Sequence, residues 1–278
     1  MNTEWIRQRI SALKGRIGVY REDLASGESS LILHGTEQDS FEAASMIKLW
    51  IMSCAFEQAA SGNLSMEEHI MLREEDQVPA GGLLDYRRDQ LAGCLTTDMF
   101  PESGVLNLLH KGLELTVRDL IRLMIVISDN TATNMLIDRL GIRAINEHIQ
   151  CALKEPQPST RLVRRLFDAD PAGLGRENTI GLRETAAYFR LLQEGRLVSE
   201  DASLEMLAIL QNQQTTWKIP FYIQHLPIAH KTGEDIGICN DAGIVYAEHP
   251  FILCFAANQA DTAEAARACQ EIARTLAQ

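Results

Sequence analysis

The sequence predicts an α/β protein of the α+β type, in which a five-stranded antiparallel sheet flanked by the terminal helices carries an inserted all-helical subdomain. Three observations predict this fold. Strand-like runs occur near both ends of the chain, a helical run stands beside the strands at each end, and the middle of the chain is mostly helical. We therefore expect a sheet subdomain of residues 1–52 and 195–278, a helical subdomain of residues 53–194, and a functional site between them.

The N-terminal part of the chain is expected to form one helix and two strands. Residues 3–14 carry apolar side chains at the spacing of one helix face. Residues 16–20 (RIGVY) and 30–34 (SLILH) are short β-rich runs, and the polar stretch between them contains Gly27, which suits a hairpin turn. These runs predict the first two strands of the sheet.

The middle of the chain has a helical pattern. A long apolar helix is expected to begin at about Ser45 and to end near Gly62, where glycine favours the left-handed conformation of a helix end. The pattern is clearest in LTVRDLIRLMIVISDN and in TATNMLIDRLG, which Gly141 terminates. Glycines and prolines over residues 79–104 and 155–178 predict loops.

The C-terminal part of the chain, after residue 220, is rich in residues that favour β-strands. Three runs, HLPIAHKTG, NDAGIVYAE and PFILCFAAN, are separated by tight polar or proline junctions, and TAEAARACQEIARTLA predicts a closing helix. Together with the two N-terminal strands, these runs supply the five strands of the predicted sheet.

Composition limits the kinds of partner. The chain has 278 residues, of which 46% are hydrophobic and 23% charged, which is ordinary for a globular protein. A net charge of -12 argues against nucleic acid or an anionic membrane surface as the main partner. No apolar run approaches the roughly 20 residues that cross a bilayer. We expect a small-molecule substrate, no nucleic-acid or membrane partner, and a monomer or weak oligomer.

Cysteine and histidine spacing predicts neither a metal site nor another cofactor. The seven histidines show no HxxxH or HxH spacing, and the six cysteines show no CxxC pair. Several cysteines lie in apolar runs, which indicates buried reduced thiols, and MNTEWIRQRI lacks the apolar stretch of a signal peptide. We therefore expect a cytoplasmic protein, or an exported one if a signal has been removed. The cysteines are Cys54, Cys94, Cys151, Cys239, Cys254 and Cys269.

Ser45-Met46-Ile47-Lys48 is the first motif that could carry chemistry. The same spacing occurs in Ser11-Ala12-Leu13-Lys14, so the pattern alone is weak. Ser45, however, comes at the expected start of the most apolar helix, where backbone N–H groups are unpaired. Because residues three apart share a helix face, Lys48 Nζ can reach Ser45 Oγ, and an apolar setting favours a neutral lysine that acts as a base. The alternative is a helix-capping serine beside a surface lysine.

Ser128-Asp129-Asn130 follows the apolar run LIRLMIVI. All three residue types favour caps and turns, so an ordinary break between helices is one interpretation. In the functional interpretation, Ser128 relays a proton to a leaving nitrogen and the Asn130 amide holds Lys48 and an amide of the substrate. Asp129 is then expected to brace the turn.

Lys231-Thr232-Gly233 ends an apolar strand. Lys231 would be a fixed positive charge for a substrate carboxylate, Thr232 would offer its hydroxyl to the same group, and Gly233 would let substrate lie close to the strand edge. A strand followed by a Thr-Gly turn is common, so this motif also has an ordinary structural interpretation. His230 is expected to pack at the strand end.

The three motifs together resemble those of class A β-lactamases and the wider family of serine penicillin-recognising enzymes. Their order, together with SDNTATNMLIDRLG and HKTGE…NDAGIV, carries the resemblance over about residues 15–275. It implies a serine hydrolase that is acylated at Ser45, with an oxyanion hole formed by the backbone N–H groups of Ser45 and Glu234. The residues expected to be catalytic are Ser45, Lys48, Ser128 and Lys231, and those expected to bind substrate are Asn130, Thr232, Gly233 and Glu234.

The chain departs from the family pattern at two places. Leu166 stands where class A enzymes have the glutamate that activates the deacylating water, and the nearest carboxylates are Asp168 and Asp170. Asp168 is therefore either the deacylation base, after a shift of the loop, or a residue that braces the loop. Glu234-Asp235 would oppose binding of a substrate carboxylate if the side chains face the site, and a neutral ester or amide would avoid that conflict.

Three functions remain open from the sequence. The first is hydrolysis of β-lactams or similar amides through an ester at Ser45, with deacylation that could be slow. The second is a D-amino-acid peptidase or an esterase on the same scaffold, which a cytoplasmic location favours because cell-wall cross-links lie outside the membrane. The third is a penicillin-binding acyl trap without turnover, which Leu166 favours.

Overall fold

The computed structural model describes residues 3–78, 104–168 and 175–278. Nine strands and eight helices lie in these residues. The strands are β1 (Arg16–Asp23), β2 (Ser29–His34), β3 (Ser40–Glu42), β4 (His69–Met71), β5 (Glu114–Thr116), β6 (Thr179–Gly181), β7 (Ile228–Asp235), β8 (Ile238–Val245) and β9 (Phe251–Asn258). The helices are α1 (Thr3–Ser11), α2 (Lys48–Ala60), α3 (Val117–Val126), α4 (Asn130–Leu140), α5 (Ile142–Leu153), α6 (Leu182–Gln193), α7 (Glu200–Leu210) and α8 (Thr262–Leu276).

The main sheet confirms the predicted fold. Five antiparallel strands occur in the order β2-β1-β9-β8-β7, so the two N-terminal strands join the three C-terminal ones. The terminal helices α1 and α8 pack together on one face, where Arg9 pairs with Glu271. Helices α2 to α7 lie between β3 and β7 along the chain. The boundaries of the two subdomains stay a prediction.

The alternation of side chains along the strands divides the core into two layers. In β9, Leu253, Phe255 and Ala257 face the terminal helices, whereas Ile252, Cys254 and Ala256 face the remaining helices. Both faces of the central strands are therefore covered, which explains why β8 and β9 are apolar and buried along their whole lengths.

Helix α2 runs through the interior of the helical layer. Every residue from Lys48 to Phe56 is buried, and the ring of Trp50 packs edge-on against Tyr188 at 4.9 Å between centroids. The helix ends as predicted: Gly62 has a φ of +74°, the left-handed conformation that glycine adopts readily. Because α2 is surrounded by apolar groups, its first residue, Lys48, lies in a site without water access.

The structure differs from the sequence predictions in three local features. The first helix ends at Ser11 instead of residue 14. Ser45 lies in a 3-10 turn, Ala44–Ile47, that leads into α2, because Ala44 has a φ of +43° and so interrupts helical geometry. Two short pairs, β3 with β6 and β4 with β5, were not predicted because strands of three residues show no alternation.

Some predictions lie outside the described residues. These are residues 79–103 of the first predicted loop, residues 169–174 of the second, and the side chains of Cys94 and Asp170. Of the cysteines in the described residues, Cys54, Cys239, Cys254 and Cys269 are buried free thiols and Cys151 is an exposed one. Among the described helices, none combines the length and the apolar character that a membrane span requires.

Candidate active site

The turn that carries Ser45 packs against the edge strand β7. Ser45 is 9% exposed, and Ala44 before it holds a positive φ, which is strained for a residue with a side chain. A Cβ atom added to Gly233 would lie 2.8 Å from the carbonyl oxygen of Ala43 and 3.0 Å from Cγ of Met46. Gly233 is therefore needed for the close approach of β7 to this turn, which is a different reason from the substrate contact that the sequence suggested.

Lys48 lies at the centre of a buried polar cluster. Its Nζ donates to the backbone oxygen of Ser128 at 2.6 Å, to the Ser128 hydroxyl at 3.0 Å and to Asn130 Oδ1 at 2.8 Å. The side chain is fully buried. The interaction with Asn130 is the one that the sequence predicted.

Lys231 reaches the same hydroxyl from the sheet. Its Nζ donates to Ser128 Oγ at 3.0 Å and to the backbone oxygen of Thr232 at 2.8 Å, and its side chain is also fully buried. Ser128 has a φ of +59°, a strained conformation that places its hydroxyl between the two lysines. One serine hydroxyl thus lies within hydrogen-bond distance of two lysine nitrogens from distant parts of the chain.

Burial and a neighbouring positive charge lower the pKa of each of the two lysines. Loss of solvent, together with the charge of Lys231, holds the pKa of Lys48 well below its ordinary value. Loss of solvent also lowers the pKa of Lys231, to about 8, although Glu234 opposes this change. Near neutral pH, Lys231 keeps its charge more readily than Lys48, so the geometry provides a fixed cation and a potential proton acceptor.

The Ser45 hydroxyl is not a hydrogen-bond partner of Lys48 in the described part of the structure. Nζ of Lys48 instead lies within hydrogen-bond distance of two oxygens of Ser128 and one of Asn130. The sequence predicted a direct contact between Ser45 and Lys48. The structure instead places Ser45 on the adjoining turn, three residues before a lysine whose hydrogen-bond partners are Ser128 and Asn130.

Asp129 has the bracing role that the sequence suggested. It caps helix α4 by accepting a hydrogen bond from the backbone N–H of Ala132 at 2.8 Å. It also accepts from the N–H groups of Val105 at 2.6 Å and Leu106 at 2.9 Å. These bonds fix the turn that holds Ser128.

The side chain of Glu234 is 33% exposed, and its carboxylate is directed at two groups of the protein. Its Oε1 is 2.5 Å from Nζ of Lys218, a fully buried lysine, and its Oε2 accepts from the Thr232 hydroxyl at 3.3 Å. Burial alone would raise the pKa of Glu234, but the charges of Lys218 and Lys231 lower it below its ordinary value. Sequence reasoning missed Lys218. The only signal was a single charge between Trp217 and Ile219, in an otherwise apolar segment.

Asn134 holds the backbone at Leu166. Its Nδ2 donates to the Leu166 carbonyl at 3.0 Å, and its Oδ1 accepts from the Leu166 N–H at 2.9 Å. The Leu166 side chain packs against the apolar core, so position 166 offers no group that accepts a proton. Asn134 was also missed, although its spacing of four from Asn130 on a buried helix face was a usable signal.

Asp168 is not part of this cluster in the structure. Its backbone N–H donates to Arg165 at 3.5 Å, and within the described residues its carboxylate forms no hydrogen bond or ion pair with Ser45, Lys48 or Ser128. A catalytic role for Asp168 would require the loop to move.

A buried His–Asp pair lies beside Lys231 in the sheet. His230 is buried, and its Nδ1 lies 2.9 Å from Oδ1 of Asp241, as expected of a residue packed beside a strand. Where the structure describes side chains, no three His, Cys, Asp or Glu residues converge in a way that could hold a metal ion.

A five-stranded antiparallel sheet with a Ser-x-x-Lys turn, a buried Ser-Asp-Asn turn and a Lys-Thr-Gly edge strand characterises the β-lactamase-like serine hydrolases. Residues 3–278 match the model of the beta-lactamase enzyme family, and the chain belongs to this family. A search of curated proteins gives no match.

Solved structures agree with this assignment. A beta-lactamase from Sphaerobacter thermophilus DSM 20745 is 28% identical over 98% of this chain and 93% of that chain, with a TM-score of 0.78. PBP-A is 26% identical over 99% of this chain and 94% of that chain, with a TM-score of 0.79. A beta-lactamase from Chitinophaga pinensis DSM 2588 is 17% identical over 98% of this chain and 97% of that chain, with a TM-score of 0.80, and so shares the fold.

Proposed function

We propose that the protein is a serine acyl hydrolase that forms an ester at Ser45 with a β-lactam or a similar strained or activated acyl donor. The observation that carries the proposal is the Ser128 hydroxyl, which lies 3.0 Å from Nζ of both Lys48 and Lys231. Such an arrangement suits the transfer of a proton between a nucleophile and a leaving group.

Acylation requires one proton to move from Ser45 to the leaving atom. As Ser45 Oγ bonds to the carbonyl carbon, neutral Lys48 accepts the hydroxyl proton. As the C–N bond breaks, Ser128 donates its proton to the nitrogen and recovers one from Lys48. This route requires Lys48 to exchange one of its present acceptors for Ser45 when substrate arrives, a rotation of a flexible side chain.

The negative charge of the tetrahedral intermediate would be held by backbone donors. The N–H groups of Ser45 and Glu234 are the proposed oxyanion hole. Strand β7 lies at the sheet edge, so half of its N–H groups are not used by β8, and Gly233 keeps this edge close to the Ser45 turn. Lys231 adds a fixed positive charge beside the reacting carbonyl.

Slow deacylation is the expected consequence of Leu166. A leucine side chain cannot take a proton from water, and Asn134 holds its backbone in place. A variant of the relative PBP-A, in which a leucine is replaced by glutamate, is described as an acyl-enzyme complex with penicillin G. We propose that this chain also forms an acyl-enzyme with penicillins, and that it releases the acyl group slowly because Leu166 cannot act as a base.

A D-amino-acid peptidase or esterase is the second candidate. The carboxylate of Glu234 favours an ester or an internal amide bond of such a peptide, because it opposes the carboxylate found on β-lactams and on a C-terminal amino acid. A cytoplasmic location, which stays a prediction, would also favour a substrate other than cell-wall cross-links.

Intact-mass measurement tests the proposed function. The protein is incubated with benzylpenicillin, and the mass is followed over time. A transient adduct indicates turnover, a persistent adduct indicates a trap, and the absence of an adduct contradicts a role toward penicillins. A small activated ester, measured in parallel, decides whether Ser45 acts on other acyl donors.

Replacement of Leu166 tests the deacylation step separately. Leu166→Glu would place a carboxylate where water must be activated. The lifetime of the adduct should therefore fall by about 10²-fold, which is the usual range of general-base catalysis. Asp168→Asn is the matched variant and should leave the lifetime unchanged. If Asp168→Asn lengthens the lifetime instead, Asp168 is the base and the loop moves during the reaction.

A further inference from the structure

Glu234 is held by the Thr232 hydroxyl, which the family resemblance assigns to a substrate carboxylate, and by Lys218. Its Oε2 accepts a hydrogen bond from the Thr232 hydroxyl, and its Oε1 lies 2.5 Å from Lys218 Nζ. Lys218 also donates to the backbone oxygens of Asn240 at 2.6 Å and Gly233 at 3.4 Å. The Glu234 carboxylate is therefore a fixed part of the strand edge beside Ser45.

The Thr232 hydroxyl cannot donate a hydrogen bond to two carboxylates at once. A hydroxyl has one proton to donate, and in this structure that proton is directed at Glu234. The charge of Lys218 is likewise compensated, because Glu234 raises the pKa of Lys218 above its ordinary value despite burial, which opposes that change. An incoming carboxylate would therefore meet a hydroxyl that is already used as a donor and the negative end of the Glu234–Lys218 pair.

We propose that Glu234 is a specificity-determining residue whose carboxylate occupies the position of a substrate carboxylate, so that the protein selects acyl donors without a negative charge on the leaving-group side. This inference rests on the proposed function. The substrate class is a neutral amide or ester, whose leaving group packs against Thr232 without requiring its hydroxyl.

The neighbouring carboxylate provides a control. Asp235 follows Glu234 in the chain, and its Oδ1 accepts from the backbone N–H of Ile236 at 2.7 Å at the end of β7. Asp235→Asn changes the net charge of the protein by the same amount as Glu234→Gln, but it leaves the Thr232 hydroxyl directed at Glu234. A general effect of negative charge would therefore appear in both variants, whereas the proposed effect appears only at Glu234.

Benzylpenicillin and its methyl ester form a matched pair of acyl donors. They share the ring that is opened and differ in the carboxylate on the leaving-group side. The rate of adduct formation at Ser45 is measured by intact mass, and each rate is divided by the alkaline ring-opening rate of the same compound. Wild-type protein should react at least about tenfold faster with the methyl ester, as expected for one repulsive contact between partly screened charges.

The variants decide whether Glu234 causes the preference. Glu234→Gln should lower the ratio of the methyl ester rate to the benzylpenicillin rate about tenfold, because only the free carboxylate of benzylpenicillin is relieved of the repulsion. Asp235→Asn should preserve the wild-type preference. If Glu234→Gln does not fold because Lys218 is left as an unpaired charge, the double variant Lys218→Met, Glu234→Gln removes both charges and should bring the two rates close to equality.

Contrary results separate the two proposals. If wild-type protein forms the adduct with benzylpenicillin as fast as with the methyl ester, or faster, the proposed role of Glu234 is wrong. The proposal of a serine acyl hydrolase is unaffected by that result. The same holds if Asp235→Asn removes the preference as fully as Glu234→Gln does. If neither compound forms an adduct at Ser45, the proposed function toward β-lactams fails, and the inference fails with it.

Discussion

Helix α2 and the turn before it carry two serine-containing clusters that differ in their access to substrate. Lys48 and the Ser45 turn form the first. In the second, Ser53 Oγ lies 2.7 Å from His148 Nε2, and His148 Nδ1 lies 2.5 Å from Oε2 of Glu57. The second cluster has the order of groups found in serine hydrolases, yet Ser53 is fully buried, whereas Ser45 is 9% exposed beside an open strand edge.

The comparison shows that a serine–base–acid chain does not by itself make a nucleophile. Ser53 lies inside a regular helix, where its hydroxyl donates to the Trp50 carbonyl at 3.3 Å and backbone N–H groups are used by the helix. No oxyanion hole can form there. The strained turn at Ala44 places Ser45 outside the regular helix, so this limit on its backbone N–H groups does not apply to Ser45. We therefore regard the Ser53 cluster as a buried hydrogen-bond network between α2 and α5.

Replacement of the two serines gives the largest expected contrast. Ser45→Ala removes the only atom proposed to form the ester, so adduct formation with an acyl donor should fall by about 10³-fold or more. Ser53→Ala should retain adduct formation, and so should Ser11→Ala, which tests the second Ser-x-x-Lys sequence. Intact mass after incubation measures all three. An adduct that survives in Ser45→Ala and disappears in Ser53→Ala would reverse the assignment of the two clusters.

Replacement of the two bases should give the next largest contrast. Lys48→Met preserves much of the buried volume but removes the proton acceptor, so acylation should slow by about 10²- to 10⁴-fold. His148→Gln keeps a polar group near Ser53 and should change the acylation rate by less than about threefold. Rates of adduct formation check this prediction. Equal losses in both variants would mean that folding, and not proton transfer, limits the reaction.

The pH dependence of acylation should reflect the lysines and not His148. Lys231 has a pKa lowered by burial to about 8, so its positive charge is lost as pH rises through that value, and the rate should fall by up to about tenfold per pH unit above it. On the acidic side, the rate should fall where Lys48 becomes protonated. Adduct formation measured across the pH range checks both limits. A rate that keeps rising above pH 8 would contradict the role of the Lys231 charge.

The smallest expected effect is on stability. Ser53→Ala leaves His148 Nε2 buried without its hydrogen-bond partner, which should lower the free energy of unfolding by about 1–3 kcal/mol. Urea denaturation measures the change. Ser11→Ala, at an exposed position, is the reference and should change stability by less than about 0.5 kcal/mol. If both variants have equal stability, the Ser53 cluster does not support the helix packing.

The sequence predicted the parts of the fold and site that depend on local pattern and chain order. Strand alternation and helix spacing predicted the main sheet and its terminal helices, and three short motifs predicted that Lys48, Ser128 and Lys231 meet. The pairing of Lys218 with Glu234 was not predictable in this way. It depends on the direction of two side chains brought together by the packing of a loop on a strand edge.

The direct contact expected between Ser45 and Lys48 shows a second limit. Spacing on a helix brings two side chains to one face, but it does not decide which acceptor a flexible ammonium group chooses. Ser128 and Asn130 supply three oxygens at 2.6–3.0 Å from Lys48 Nζ, and these are the hydrogen-bond partners of Lys48 in place of Ser45. Likewise, the two hydrogen bonds between Asn134 and the Leu166 backbone depend on tertiary packing, which the spacing of residues in the sequence does not reveal.

The position of the Ser128 hydroxyl between Lys48 and Lys231 has a consequence for successive reaction cycles. The charge of Lys231 disfavours a second positive charge on Lys48, so a proton that Lys48 takes from Ser45 is readily passed on to the neighbouring Ser128 hydroxyl as Ser128 gives its own proton to the leaving nitrogen. A catalyst built in this manner restores its starting ionisation internally, without drawing on the surrounding buffer.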